Sequence, residues 1–329
     1  MEGFEIGLTD RIVREALISE DLAGQRFDQA AAALFEEFSR SRLKIWIESG
    51  ELTLAGRPAA PKTRVGGGEA IRLDAEVEAV VPLAPEAIPL TVVFEDDDLL
   101  IIDKPAGLVV HPGAGNPAGT LQNGLLAHDP GLAAVPRAGI VHRLDKDTTG
   151  LLVVAKTLTA HQALVAALER REIRRTYEAI CQGVMTGGGE VDAPIGRHPR
   201  ERLRMAVVTR GRPSVTHYRV IERFRAQTHI RVELETGRTH QIRVHMAHIR
   251  HPLIGDPLYG GRPRLPKSPL PELVAALQRF HRQALHARSL ELAHPGSGEL
   301  LKVAAPLPED FQALLGVLAA DVAAESRRD

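Results

Sequence analysis

The chain has 329 residues, enough for two domains or one large one at about 150 residues per domain. Apolar residues make up 44% and charged residues 25%, which suits a full hydrophobic core, while 41 Lys plus Arg against 42 Asp plus Glu leave a net charge of −1 that names no partner. A single cysteine (Cys181) excludes a disulfide framework or thiolate metal cluster, no apolar run nears the ~18 residues that span a bilayer, and the acidic residues 1–10 lack the basic and apolar regions of a signal peptide, so a cytoplasmic protein is expected.

Residues 1–15 read as a loose lead-in. Asp28–Phe38 and Ser41–Ser49 then read as two short helices, the second carrying Leu43, Trp46 and Ile47 on one stripe at i, i+3, i+4. Ser39 suits its N-cap and Gly50 its C-terminal stop. Strands are expected at 51–54 and 70–73, separated by a Gly56-Arg-Pro58 turn and the glycines 66–68. Residues 16–78 thus form a compact unit with Arg26, Arg40, Arg42 and Lys44 around its helix pair. Pro82, Pro85 and Pro89 mark 79–90 as a semi-rigid linker, and residues 91–329 as a second domain.

In that domain strands are expected at 91–94, 99–103, 150–155, 175–182, 217–224 and 229–235, with helices at 159–170 and 271–279. Strands adjoin one another instead of alternating with helices. That favours an α+β fold with a mixed, largely antiparallel sheet over a doubly wound parallel one.

The near-zero net charge hides a division. From Arg137 to Arg262 there are 22 Lys/Arg against 12 Asp/Glu, a net of +10, whereas Glu69 to Asp103 carries ten acids and one base. A basic centre beside an acidic collar suits a polyanionic partner, although solvated surface arginines give the same count.

Chemistry is densest in Gly139-Ile-Val-His-Arg-Leu-Asp-Lys-Asp-Thr-Thr-Gly150, just before an apolar strand. Asp145, between Arg143 and Lys146, stays ionised there, as a nucleophile or cation stabiliser must; an acidic capping turn is the plainer alternative. In Glu235-Thr-Gly-Arg-Thr-His-Gln-Ile-Arg-Val-His245, Gly237 permits positive φ or close backbone approach, and Arg238 and Arg243 offer guanidinium forks. Tyr177 would share a strand face with Ala179 and Cys181.

Three tempting motifs do not hold. The glycines 113–119 are spaced one residue too long for a dinucleotide fingerprint and include Pro117. In 261–268, Pro266 replaces the second glycine of a phosphate loop. His240, His245, His248 and His251 lack an intervening acid to complete a metal shell, so no metal is expected.

Taken together, His142-Arg-Leu-Asp-Lys-Asp-Thr-Thr-Gly150, Arg175-Thr-Tyr177 and Gly237-Arg-Thr-His-Gln-Ile-Arg-Val-His245 closely resemble, in order, the core motifs of the RluA-type RNA pseudouridine synthases. Val110-His-Pro-Gly-Ala-Gly-Asn116, Pro136-Arg-Ala-Gly139 and Asp256-Pro-Leu-Tyr-Gly-Gly261 extend the resemblance, which runs over about residues 15–315. The amino-terminal unit resembles an S4 RNA-binding domain, with Ser39-Arg-Ser-Arg-Leu-Lys44 at its helix pair. The resemblance implies that Asp145 is the essential carboxylate and that Arg238 pairs with it. It implies that Arg143 fills the space left by a flipped nucleotide. Tyr177 would stack on the uracil and assist proton removal from C5, and Ile242 would line the base pocket. It implies no cofactor, and as substrate large-subunit ribosomal RNA, free or in an assembling particle, at the helix 69 stem-loop of 23S rRNA. A non-catalytic RNA-binding factor and a metal-dependent hydrolase are the competing readings.

Overall fold

The computed structural model describes residues 9–78, 83–113, 115–201 and 203–327. Residues 1–8 of the expected lead-in and 79–82 of the expected linker lie outside them. The chain divides into two compact units, 1–82 and 83–329.

In the first unit, α1 (Phe27–Leu34) and α2 (Arg40–Ser49) pack on a three-stranded antiparallel sheet of order β1-β3-β2 (Thr9–Leu17, Ala70–Glu78, Leu52–Leu54). Ser39 Oγ accepts from Arg42 N at 3.3 Å, and Gly50 closes α2 at φ 86°, where a side chain would strain. The expected first helix runs to Phe38, but α1 stops at Leu34. The chain must become extended for the Ser39 cap, and Phe38 turns to meet the Trp46 ring edge-on at 5.0 Å. The lead-in also differs: Thr9–Leu17 is a strand, paired along its length with β3.

Among the described residues, the main sheet of the second unit has nine strands, β4 (Thr91–Glu95), β5 (Leu99–Lys104), β6 (Thr149–Ala155), β7 (Arg174–Gln182), β8 (Gly189–Asp192), β11 (Val215–Arg223), β12 (Gln227–Leu234), β13 (Leu285–Ala293) and β14 (Leu300–Ala304). Their order is β4-β5-β6-β13-β7-β12-β11-β8, with β14 on β13, and β6–β13 is the parallel pair among otherwise antiparallel neighbours. The fold is α+β with a mixed, largely antiparallel sheet. A small hairpin, β9 (Ile195–Arg197) and β10 (Met205–Val207), stands apart from this sheet.

Side-chain alternation sorts the apolar runs onto two faces. Leu99, Ile101, Leu151 and Val153 pack with Ala160 and Leu164 of α4 (Leu158–Glu169). Leu100, Ile102, Leu152 and Val154 join Leu121 and Leu125 of α3 (Leu121–His128), along with Tyr177, Val232 and Ile242. Strands covered on both faces read as continuous apolar runs, which is why β5 and β6 are plain in the sequence. A third cluster gathers α6 (Pro271–Arg279) and α7 (Glu309–Glu325) against Ile180 and Phe224. Residues 83–90, expected as linker, lie along α3. Asn123 Nδ2 donates to Ala84 O at 2.9 Å, and Glu86 N donates to Asn123 O at 3.1 Å.

Candidate active site

The Asp145 loop enters β6 and is fastened along its length. His142 Nε2 accepts from Val153 N at 3.1 Å, and Thr148 N donates to Asp145 O at 3.0 Å. Gly150 stands at φ 109°, and a Cβ there would lie 2.3 Å from Ala287 O, so glycine is what allows β6 to approach β13. Beneath the loop, fully buried Lys104 donates to Pro105 O, Leu108 O and Lys146 O at 2.7, 3.0 and 2.9 Å. Burial pulls this lysine down to about 8, against the pull of Asp147 and Asp145. Gln283 Nε2 donates to Thr148 Oγ1 at 3.0 Å. Arg282 reaches Asp147 O at 3.4 Å and clasps Asp310, at the start of α7, through two bonds of 2.6 Å.

The arginine that meets Asp145 is Arg243, and this corrects the expected pairing with Arg238. Arg243 lies in the first turn of α5 (Gln241–His248), and its Nη1 donates to Asp145 Oδ2 at 2.9 Å. Its Nε and Nη2 clasp Asp256 at 2.7 and 2.8 Å. Burial disfavours its charge, but Asp256 and Asp145 outweigh that cost and hold the guanidinium above its ordinary value. Arg238 instead directs Nε to Pro213 O at 3.4 Å, in the field of Arg212 and Arg171. The physical reason is the turn between them: His240 adopts φ 57°, so α5 begins after it and swings the next arginine inward. Gly237 does not use positive φ. It leaves room for Arg175, whose Nη1 would stand 2.8 Å from an added Cβ.

Tyr259 completes the support. Its ring lies 5.1 Å from the Arg243 guanidinium, and its hydroxyl accepts from Met205 N at 2.8 Å and meets His240 Nδ1 at 2.9 Å. His240 Nε2 stands 3.9 Å from Asp145 Oδ1, and burial keeps this imidazole below its ordinary value despite the carboxylate. His245 meets Thr216 Oγ1 and Ala193 O, and His251 meets Gln182 O, so these histidines face separate partners.

Beside Asp145 the apolar walls are Tyr177 on β7, Ile242 on α5 and Leu144, which share one cluster and are each at most 5% exposed. Burial pushes the Tyr177 phenol up, so the ring is protonated near neutrality. Arg143 is exposed and, among the described residues, has no ion-pair partner. The four basic residues expected around the helix pair of the first unit are less free than the sequence suggests. Arg26 and Arg40 both bond Asp28, Arg42 lies 5.2 Å over the Trp46 ring, and Lys44 faces Glu48 at 3.5 Å. Sequence reasoning assigned no role to Lys104, Asp256, Tyr259, Arg282 or Gln283. Asp256 and Tyr259 do stand in a quoted motif, whereas Lys104 resembles any strand-end lysine.

The RNA pseudouridylate synthase family profile matches residues 98–248. The chain is 57% identical over 314 residues to the "Ribosomal large subunit pseudouridine synthase D" of Xanthomonas campestris, covering 95% of each chain. It is 58% identical over 314 residues to the protein of that name from Pseudomonas aeruginosa, covering 95% of this chain and 98% of the relative. With the Escherichia coli K12 protein of that name it shares 55% over 315 residues, 95% of this chain and 97% of the relative. Among solved structures, human RNA pseudouridylate synthase domain containing 4 superposes with a TM-score of 0.54 at 28% identity, over 70% of this chain and 93% of its own. The chain therefore belongs to the RluA-type RNA pseudouridine synthases and is an isomerase.

Proposed function

We propose that this protein converts uridines of large-subunit ribosomal RNA to pseudouridine, at the helix 69 stem-loop of 23S rRNA, in the bacterial cytoplasm. The substrate class rests on relatives that are named for the large ribosomal subunit and match along 95% of this chain. The site assignment rests on one observation: the Asp145 carboxylate, oriented by Arg243, beside the apolar wall of Tyr177, Ile242 and Leu144.

The reaction breaks C1′–N1, turns the uracil and rejoins it to the sugar through C5. The sugar passes through an electron-poor stage, for which a fixed carboxylate is the fitting group, as in glycoside cleavage. Asp145 acts there by attacking C1′ or by removing the C2′ proton. Arg243 holds it in one orientation without neutralising the site, because a second carboxylate, Asp256, balances the same guanidinium. The detached base must be kept from water while it turns, which suits the walls named above. Tyr177 serves as the stacking surface and, when C5 gives up its proton, as an adjacent polar group. Reaching C1′ in a stem-loop requires flipping the nucleotide, and exposed Arg143 fills the gap it leaves. Arg238, on the rim with Arg212 and Arg171, contributes positive field there. The first unit, read as S4-like, adds phosphate contacts through Arg42 and Lys44, with Arg26 and Arg40 tied more closely to Asp28.

The test is site-resolved pseudouridine sequencing of total RNA with and without the gene, with Asp145→Asn supplied in trans. Loss of modification in helix 69 that Asp145→Asn cannot restore supports the reading. Unchanged modification there removes the substrate assignment, and full restoration by Asp145→Asn removes the catalytic one.

A further inference from the structure

Arg175 has no place in the reading so far. It lies on β7 two residues before Tyr177, hence on the same sheet face and about 7 Å along it. Its residue is 7% exposed, and its Nε is fully buried without a hydrogen-bond partner. A buried N–H donor without a partner is costly, because its desolvation is not repaid by any acceptor. Native structures keep such groups where something else supplies the acceptor.

A second orphan donor adjoins it. His142 Nε2 accepts from Val153 N, which fixes the proton on Nδ1, and that nitrogen is also buried without a partner. The two side chains are electrostatic neighbours: burial, then Arg175, hold the imidazole neutral. Tyr177 feels both Arg175 and Asp145, and Arg175 Nη1 lies against Gly237 at the entry to the α5 segment. The unpaired donors therefore lie close to the uracil wall at Tyr177 and to the entry of the segment that carries Arg243. An oxygen acceptor with negative charge is what they lack.

Resting on the reaction proposed above, we infer that Arg175, with His142 Nδ1–H beside it, binds a carbonyl oxygen of the flipped uracil and holds the base as its anion between detachment and reattachment. When C1′–N1 breaks, the bonding pair goes to N1 and is shared with the ring carbonyls. Arg175 donates to the oxygen on which that charge grows. The ring then turns, C5 forms the bond to C1′, and the proton leaving C5 is balanced by the one N1 gains. The charge on the base is transient, so the contact strengthens during reaction and acts on turnover more than on binding.

The experiment compares Arg175→Met and Arg175→Lys with the unsubstituted protein. It measures tritium release from C5-labelled substrate RNA, RNA affinity and thermal midpoint. Arg175→Met is expected to lower kcat by about 10²–10³-fold, as removal of a preorganised donor does, with affinity within about twofold. Arg175→Lys should recover part of kcat. Because the wild-type Nε–H is buried and unpaired, Arg175→Met should melt at or above the wild-type temperature, whereas a merely structural arginine would give a lower midpoint. Unchanged kcat, or a lowered midpoint with activity lost in proportion, overturns the inference. A tenfold loss of affinity at unchanged kcat also overturns it, by moving the acceptor from the base to a phosphate. Absence of turnover by the unsubstituted protein would instead refute the reaction on which the inference rests.

Discussion

Arg243 is the residue whose removal separates orientation of the Asp145 carboxylate from stability of the fold. It is 5% exposed and bridges Asp145, 15% exposed, and Asp256, fully buried. Replacement by methionine keeps much of the volume but strips the counter-ion from both carboxylates. Breaking a buried ion pair on one side costs about 3–5 kcal/mol, mostly from the uncompensated charge left behind. At roughly 2–4 °C per kcal/mol for a domain of this size, the midpoint should fall by about 6–20 °C. Asp145 also loses its oriented donor, which should lower kcat by about 10²–10³-fold. The double variant Arg243→Met/Asp256→Leu distinguishes the two effects. It removes the buried orphan charge, so part of the stability returns. The return is incomplete, because Leu258 N and Tyr259 N lose their acceptor at about 1–3 kcal/mol each. Activity should stay low, since nothing yet holds Asp145. Chemical denaturation and tritium release measure the two quantities on the same preparations. If activity recovers together with stability in the double variant, Arg243 serves only the fold and the reasoning is wrong.

Lys104 gives a pH prediction. Its folded value of about 8 lies below the 10.5 of the unfolded chain, so between these values the unfolded state binds more protons and stability rises with pH. The gain amounts to about 3 kcal/mol across that window, and denaturation at pH 7.5 and 10 should show Lys104→Met lacking it. Arg282→Met frees Asp147 O and Asp310 and should lower single-turnover rate by about tenfold with unchanged RNA affinity. An unaltered rate would show that the loop holds its shape without that link. Changing Arg42 and Lys44 together to glutamine should reduce the slope of log affinity against log salt by about 1.5 and leave kcat at saturation intact. An unchanged slope would remove the first unit from phosphate binding.

Much of the second unit is legible because its central strands are apolar on both faces. Leu99–Ile102 and Leu151–Ala155 declare themselves by hydrophobicity, and α6 falls on its expected residues, 271–279. β1 is not legible in the same way. Thr9–Leu17 carries polar and charged residues through most of its length and is a strand because β3 supplies its hydrogen-bond partners. The choice between Arg238 and Arg243 shows a different limit. Both are arginines in one motif, and only the left-handed His240 and the start of α5 decide which one turns inward. α7 was within reach: Phe311, Leu314 and Leu318 carry the helical spacing after Pro308, and they are the apolar residues it buries.

The same geometry changes the meaning of the basic centre. Many of its 22 cations are engaged within the protein. Arg243 is shared between two aspartates, Arg170 faces Glu172, Arg204 faces Glu201, and Arg225 faces Asp321 and Glu325. Each of these adds less to counter-ion release than a free cation does, because a carboxylate already balances part of its charge. The salt dependence of binding should therefore reflect far fewer contacts than the local +10 suggests. The acids among them are not a defect in an RNA-binding surface. They fix arginines in single orientations, and under the proposed reaction a carboxylate acting at one carbon of one flipped nucleotide depends on that fixity more than on bulk attraction.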